Sequence, residues 1–519
     1  MEQVDIKKLI VIFFAVSLSI IAYQYITDYF FKSPIPKTKT QNISKKPQNT
    51  TNQTTNQISL PSYQGAINLL INANRQSANI QNGVLVKLKD ADIKFSYSGG
   101  RIVYYYIKDF KQNLITKEEY DLKVFPLEIY TGDPSIDSAI NFDNYDISTT
   151  DNGVQMTLTL PNHVSVVKDV YFDKEGFISK VNISLIGYRK PYYVMVGTNL
   201  QEEDLHTHQG PVFEINGDVK RLETDDIKTY KVINGNITFA GEESRFFFKG
   251  FKGHINSLQI YKEQLGKDEF SLMLASFDGK ATMFFGPKEY EWLKKVGLTD
   301  VLDFGDFRIV VEPLFKFLYF IYLKTGNWII SIFVLTLLIR ILFFPLNYKS
   351  TLSMSRLSEV SPKMEKIKEK YKDDPVKMQE EIMKLYKEVG FNPASGCLPI
   401  LVQIPIFFSL YKVIVITADL KLSHFLWIHD LTQKDPYYIL PILMGITMLM
   451  SLRLTPNPDP KQNSVMYISS LFFVFLFASF PAALVIYWTI NNILSFLQTY
   501  LIKRVLLKDK LTPKTKQGK

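Results

Sequence analysis

Residues 465 to 502 read VMYISSLFFVFLFASFPAALVIYWTINNILSFLQTYLI, an apolar run of 38 residues without a charge. At ~1.5 Å per residue, one helix of that length would reach nearly twice the ~30 Å hydrocarbon core of a bilayer. Phe480-Pro481 supplies the break, because proline cannot donate a helical hydrogen bond. The run therefore folds into two antiparallel spans, 465–480 and 481–502.

Three more apolar stretches precede it, at 326–345, 397–416 and 437–453. Residues 311–325 are apolar but short, with Glu312, Lys316 and Lys324 among them, which suits an amphipathic helix lying in the outer interface. Basic residues orient the spans. The loop 346–396 is rich in lysine, and the tail 503–519 holds Lys503, Arg504, Lys508, Lys510, Lys514, Lys516 and Lys519 against the single acid Asp509. Both belong in the cytoplasm, as does the short loop 454–464. The loop 417–436, with only Lys421 and Lys434, is external.

At the other end, Lys7 and Lys8 precede the apolar run Leu9–Ile26. The run has no small-x-small cleavage site at its end, so 9–31 reads as an uncleaved signal anchor with residues 1–8 in the cytoplasm. Residues 32–57 are Thr, Asn, Gln, Lys and Pro with almost nothing to bury, a disordered tether. The count is six spans, with both termini inside.

Between tether and spans, residues 58–310 show a period of two. Ile93, Phe95 and Tyr97 alternate with polar residues, as do Val154, Met156, Leu158 and Leu160, and Val181, Ile183 and Leu185. Ser98-Gly99-Gly100 and Asp173–Gly176 punctuate them as turns. An antiparallel β-sandwich outside the cytoplasm is expected. It shows no catalytic set. His206 and His208 lack a third ligand nearby and read as a surface loop rather than a zinc site. Tyr104–Tyr106 fits a sugar-stacking platform, but aromatic strand residues are more often core.

Composition agrees. The 519 residues are 46% hydrophobic and 14% aromatic, and mean hydropathy is near zero, as for a chain part in lipid and part in water. A net charge of +9 favours anionic partners, phospholipid or RNA, without choosing between them. Cys397 is the single cysteine, so no intrachain disulfide forms.

Two features need separate treatment. In the cytoplasmic loop, Leu357, Val360, Met364, Ile367 and Tyr371 step by three and four, as do Met378, Ile382, Leu385 and Val389. Asp374 reads as N-cap, Pro375 as first helical residue and Gly390 as terminator, which makes a helical hairpin. In the membrane, Arg340 sits inside the span 326–345, where an arginine costs on the order of 3 kcal/mol. No acid lies within Leu9–Ile26 or the other C-terminal spans to neutralise it. Two roles fit: snorkelling to the inner headgroups, or lining a watered cavity with Gln403, Trp488, Asn491, Asn492 and Gln498. Those amides also fit plain helix-to-helix bonding.

The set of motifs resembles a known family. A single anchor, an external β-domain, PLFK at 313–316, GNW at 326–328, LIRILFFPL at 338–346, NPASGCLPILVQIPIFFSLY at 392–411 and FPAALVIYW at 480–488 look like the YidC membrane protein insertases of Gram-negative bacteria. The C-terminal spans carry the specific match; the β-domain matches by position and size, and the long Asn/Thr linker departs from the pattern. The resemblance implies a six-span α-helical membrane protein with a five-helix insertase core and a periplasmic antiparallel β-supersandwich. It implies a chaperone and insertase, not an enzyme, that needs no cofactor or metal and serves nascent inner-membrane proteins alone or beside the Sec translocon and its accessory subunits.

By the same resemblance Arg340 matches the family's groove arginine, and Gln403 and Trp488 fall in the matching segments of the third and sixth spans; Asn491 and Asn492, from the cavity reading, are grouped with them as candidate groove residues. Ile404, Phe407, Phe472, Phe473 and Phe475 are expected as the greasy surface along which a client slides. Lys503, Arg504, Lys508, Lys510, Lys514 and Lys516 are candidate contacts for the ribosome or anionic phospholipid. A channel or transporter, or a membrane-tethered carbohydrate-active protein, are the rival classes. The first should show paired charges or inverted repeats, and the second paired carboxylates in the β-domain.

Overall fold

The computed structural model describes residues 80–161, 163–200, 207–305, 307–388, 394–454 and 460–506. The expected anchor (9–31) and tether (32–57), His206, Val389, Gly390 and the tail lysines Lys508, Lys510, Lys514 and Lys516 lie outside the described residues.

Among the described residues the two-residue period becomes antiparallel strands in sheets of four and twelve. The smaller runs Gly83–Lys87, Ala91–Ser96, Arg101–Ile107 and Gln112–Asn113 in chain order. The larger is centred on the long hairpin of Tyr230–Glu243 and Phe247–Leu265 and extends through Lys280–Pro287, Ile178–Ile186, Ser165–Phe172 and Gly153–Thr159. The sheets face each other through the predicted rows: Phe95 meets Phe172 at 6.2 Å and Tyr105 meets Phe285 at 5.5 Å. Ile93, Val154, Met156, Val181 and Ile183 are buried there, each contributing roughly 1.5–3 kcal/mol.

Tyr97 leaves the pattern and is 40% exposed. Its strand stops at Ser96, and Gly99 and Gly100 follow at φ 77° and 52°, conformations that a Cβ disfavours. The tyrosine triplet splits by alternation: Tyr105 is core, while Tyr104 and Tyr106 stack on each other, 5.8 Å apart, on the opposite face. His208 is engaged within the β-domain, by Glu223 at 3.1 Å and the Pro211 carbonyl at 3.2 Å. No metal-ligand cluster occurs among the described residues.

Among the described residues of this domain the α-helices are α1 (Lys117–Leu122), α2 (Pro134–Phe142) and α3 (Tyr290–Val296). The helical part follows: α4 (Arg308–Thr325), α5 (Trp328–Leu342), α6 (Phe344–Glu359), α7 (Ser361–Lys370), α8 (Pro375–Glu388), α9 (Ala394–Ile416), α10 (Ile439–Leu454), α11 (Pro460–Phe477) and α12 (Ala482–Leu501).

The GNW motif acts as stop, cap and anchor. Gly326, at φ 65°, ends α4; the Asn327 side chain accepts from the Ile329 and Ile330 amides at 2.8 and 3.2 Å and starts α5. Trp328 then stacks on Tyr322 of α4 at 4.4 Å. One buried face of α4, Val311, Phe315, Leu318 and Tyr319, docks inward, while Ile309, Phe320 and Leu323 stay exposed, leaving apolar residues on both faces.

The helix carrying Arg340 stops at Leu342, before the expected end at Pro345, and resumes as α6 after a 64° bend. Pro345 cannot bond back to Ile341 and is best accommodated in the first turn of a new helix. Among the described residues no single helix is long and apolar enough to cross a membrane by itself, but this bent pair passes by length and composition. The hairpin forms as α7 and α8 around Val360, Met364 and Leu385, with Asp374 accepting from the Lys377 amide at 3.1 Å.

Candidate functional site

Helix α12 lies against α5, α9 and α10, so its residues choose among three partners by their direction around the axis. Tyr487, Asn491 and Gln498 are four and seven apart and share one face. Each meets a polar side chain of another helix. The Gln403 amide of α9 donates to the Tyr487 hydroxyl. Arg340 of α5 donates from Nε and Nη2 to the Asn491 side-chain carbonyl, at 3.1 and 2.8 Å, and from Nη2 to the Asn491 main-chain carbonyl at 3.0 Å. Asn347 of α6 donates to Gln498 Oε1 at 3.3 Å. The result is a polar seam about 17 Å long on α12.

Depth follows from the ends nearest the β-domain. Trp328 is tied to α4, the Ala482 and Ala483 amides bond the carbonyls of Gln433 and Leu431 in the loop 417–436, and the Ala418 amide bonds the Lys288 carbonyl of the β-domain. Counting helical rise inward, Arg340 lies about 18 Å from its end, Asn491 about 14 Å and Gln403 about 20 Å. They form one layer. Arg340 is half-buried, and no carboxylate of the described residues is within ion-pair distance of it.

Trp488 and Asn492 do not join this layer. Trp488 packs edge-on against Phe407 at 5.3 Å and against Phe477 at 5.1 Å, in an aromatic cluster that ties α9, α11 and α12. Asn492 turns to α10, donating to the Met444 carbonyl and Thr447 hydroxyl at 3.4 Å while its own carbonyl accepts from Ser451 at 3.3 Å. A helix turns ~100° per residue, so neighbours of Asn491 and Tyr487 point elsewhere. Tyr487 and Asn347 were missed by composition. The four-and-seven spacing on α12 is the signal that finds Tyr487.

The candidate slide divides likewise. Phe475 and Phe472 are 81% and 42% exposed, whereas Phe407 and Phe473 pack toward Phe477 at 6.0 and 6.3 Å. Ile404 is half-buried. At the C-terminal end of α12, Lys503 donates to the Leu454 carbonyl at 2.6 Å and so caps α10, and Arg504 lies 6.0 Å from the Tyr500 ring. A small cavity between α4, α5, α9 and α12 is apolar apart from Tyr487, and belongs to packing.

An apolar helical assembly holding a cation with no carboxylate in reach among the described residues, joined to a β-sandwich, fits a helical membrane core carrying a β-domain. Comparison with known proteins makes the class specific. Residues 320–510 match the family described as 60Kd inner membrane protein. The chain is 47% identical over 506 residues to the membrane protein insertase YidC of Aquifex aeolicus, covering 97% of each. It is 34% identical to that of Campylobacter jejuni, over 93% of this chain and 94% of the other. A crystal structure of an active YidC insertase with its first transmembrane domain resolved aligns with 82% of this chain and 93% of that one, at 20% identity and a TM-score of 0.43.

The chain belongs to the YidC membrane protein insertases. It is an insertase of the inner membrane, not an enzyme, and nascent membrane proteins are its substrates. The channel and carbohydrate readings are not favoured.

Proposed function

We propose that a client's polar segment enters the membrane along the α12 seam and is drawn in by Arg340. The observation that supports this is a guanidinium in the last turn of α5 held only by neutral oxygens, which leaves its charge available. A polar tail costs several kcal/mol for each unpaired group carried through hydrocarbon. A seam of amides and hydroxyl reaching Arg340 shortens that dry path, and the cation favours acidic tails. The client's apolar span then leaves into lipid at about 25 cal/mol per Å². The exposed Phe472 and Phe475 suit the surface it passes, with Ile404, Phe407 and Phe473 shaping the wall behind.

In this reading six spans cross the inner membrane with both termini cytoplasmic and the β-domain periplasmic. The Sec translocon accepts clients that need it, and the basic tail meets anionic phospholipid or the ribosome.

The test is insertion of clients with acidic tails. Arg340→Ala should slow it about tenfold, equivalent to about 1.4 kcal/mol, and Arg340→Lys should retain much of the rate because it keeps the cation. Equal rates for wild type and Arg340→Ala at equal protein levels would leave the arginine as a snorkelling residue.

A further inference from the structure

The way Asn491 holds Arg340 bears on which clients are chosen. A guanidinium offers a carboxylate two edges with paired donors, Nε with Nη2 and Nη1 with Nη2. Asn491 takes the first: its side-chain oxygen accepts from Nε at 3.1 Å and from Nη2 at 2.8 Å. The main-chain carbonyl of the same residue accepts from Nη2 as well, at 3.0 Å. Two consequences follow. The side chain is fixed to α12 at the level of the seam instead of reaching for the headgroups. The Nη1 donors have no partner among the described residues.

The chemistry of the holding group matters because it carries no charge. An aspartate at 491 would accept the same hydrogen bonds with almost the same shape, yet would cancel the cation. A leucine would leave the charge but give the guanidinium nothing to bond. An amide alone both orients the cation and leaves it uncompensated. No acid of the described residues does the opposite from α5, α9, α10 or α12, since none pairs with Arg340, and Gln403, Tyr487 and Asn347, which line the same seam, are neutral.

We infer that Asn491 is a positioning residue that sets selectivity for acidic client segments, by occupying Nε and Nη2 and presenting the free Nη1 donors of Arg340 to an incoming carboxylate. This rests on the reading of Arg340 as the client-attracting cation.

The experiment uses the full chain in proteoliposomes and two single-span clients that differ only in Asp against Asn in the tail. The readout is the ratio of their insertion rates with each protein preparation; any loss of folded protein scales both rates and cancels. Wild type should prefer the acidic tail several-fold, about the tenfold ascribed to the cation. Asn491→Asp and Asn491→Leu should both bring the ratio to about one, the first by neutralising Arg340 and the second by releasing it. Asn491→Gln, which keeps a neutral acceptor, should restore a preference for the acidic tail. A wild-type ratio in both Asn491→Asp and Asn491→Leu, with the ratio lost in Arg340→Ala, would overturn the role of Asn491 and leave that of Arg340 standing. A wild-type ratio in Arg340→Ala would sink both.

Discussion

Lys168 of the β-domain is enclosed between the two sheets, where it donates to the carbonyls of Gly99 at 2.7 Å, Leu127 at 2.8 Å and Gly100 at 3.3 Å. Burial pushes its ammonium down to about 7, and the Arg101 charge adds to the effect. In the unfolded chain the same group titrates near its ordinary value of 10.5. Between those values the unfolded state holds more protons, so this residue makes stability rise with pH from about 7 toward 10. Denaturant midpoints of the β-domain should show that rise, and Lys168→Met should flatten it. The same variant should cost roughly 1–3 kcal/mol at neutral pH, because carbonyls that Lys168 satisfies would lose their donor. A midpoint independent of pH in wild type would contradict the assignment. Arg340 meets a similar problem with one asparagine.

Among the elements, Val474 of α11 packs directly against Gly445 of α10. A Cβ there would lie 2.3 Å from Val474 Cγ2. Valine is stiff at χ1, so the methyl cannot easily swing away and the helices would have to part. Gly445→Ala should therefore lower stability by about 1–3 kcal/mol, read as a fall in detergent melting temperature. Val474→Ala should recover most of the loss in the double variant, since it removes the clashing methyl; failure to recover would place the strain elsewhere. The bend between α5 and α6 has a comparable local cause in Pro345. It places Asn347 where it bonds Gln498 of α12.

For the whole molecule, the question is how the β-domain is seated on the helices. Asp303 lies between Lys412 of α9 at 2.7 Å and Arg221 at 3.9 Å; Arg221 also bonds the buried Glu243 at 2.7 Å, which Lys288 approaches at 3.5 Å. Beside this network Asp419 accepts from the Tyr290 amide at 3.0 Å. Burial alone would raise the Asp303 carboxyl, but the Lys412 and Arg221 cations outweigh it and hold it at about 2. A depressed carboxyl stabilises above its unfolded value near 4 and loses that contribution as pH falls through 2. Asp303→Asn should remove about 1 kcal/mol, as for a partly exposed pair. It should also raise amide exchange at Ala418, whose N–H bonds the Lys288 carbonyl; unchanged exchange would show that the pair does not seat the domain. The tail is a second whole-molecule matter. If it contacts ribosomal RNA, co-sedimentation with ribosomes in neutral detergent without anionic lipid should persist at low salt and fall sharply when residues 505–519 are removed. Co-sedimentation that survives truncation would leave the tail a lipid anchor.

The amino-acid sequence by itself determined the membrane class, the position of the apolar helices and the alternating strands, because hydropathy and a period of two are local properties. It also located Arg340 as a cation without a counter-charge, since that needs only a census of acids in the spans. Asp374 and Pro481 were legible as helix punctuation for the same reason. Only the tertiary structure decided which polar residues meet. Arg340 and Asn491 are 151 residues apart in the chain, and Asn492, one residue on, serves α10 instead. Trp488, grouped with Arg340 by type, went to the aromatic cluster. The physical reason is rotational: each residue turns the helix by ~100°, so the partner of a side chain depends on how three packed helices are rotated about their axes. That is a property of the packed whole, written in no single stretch of sequence.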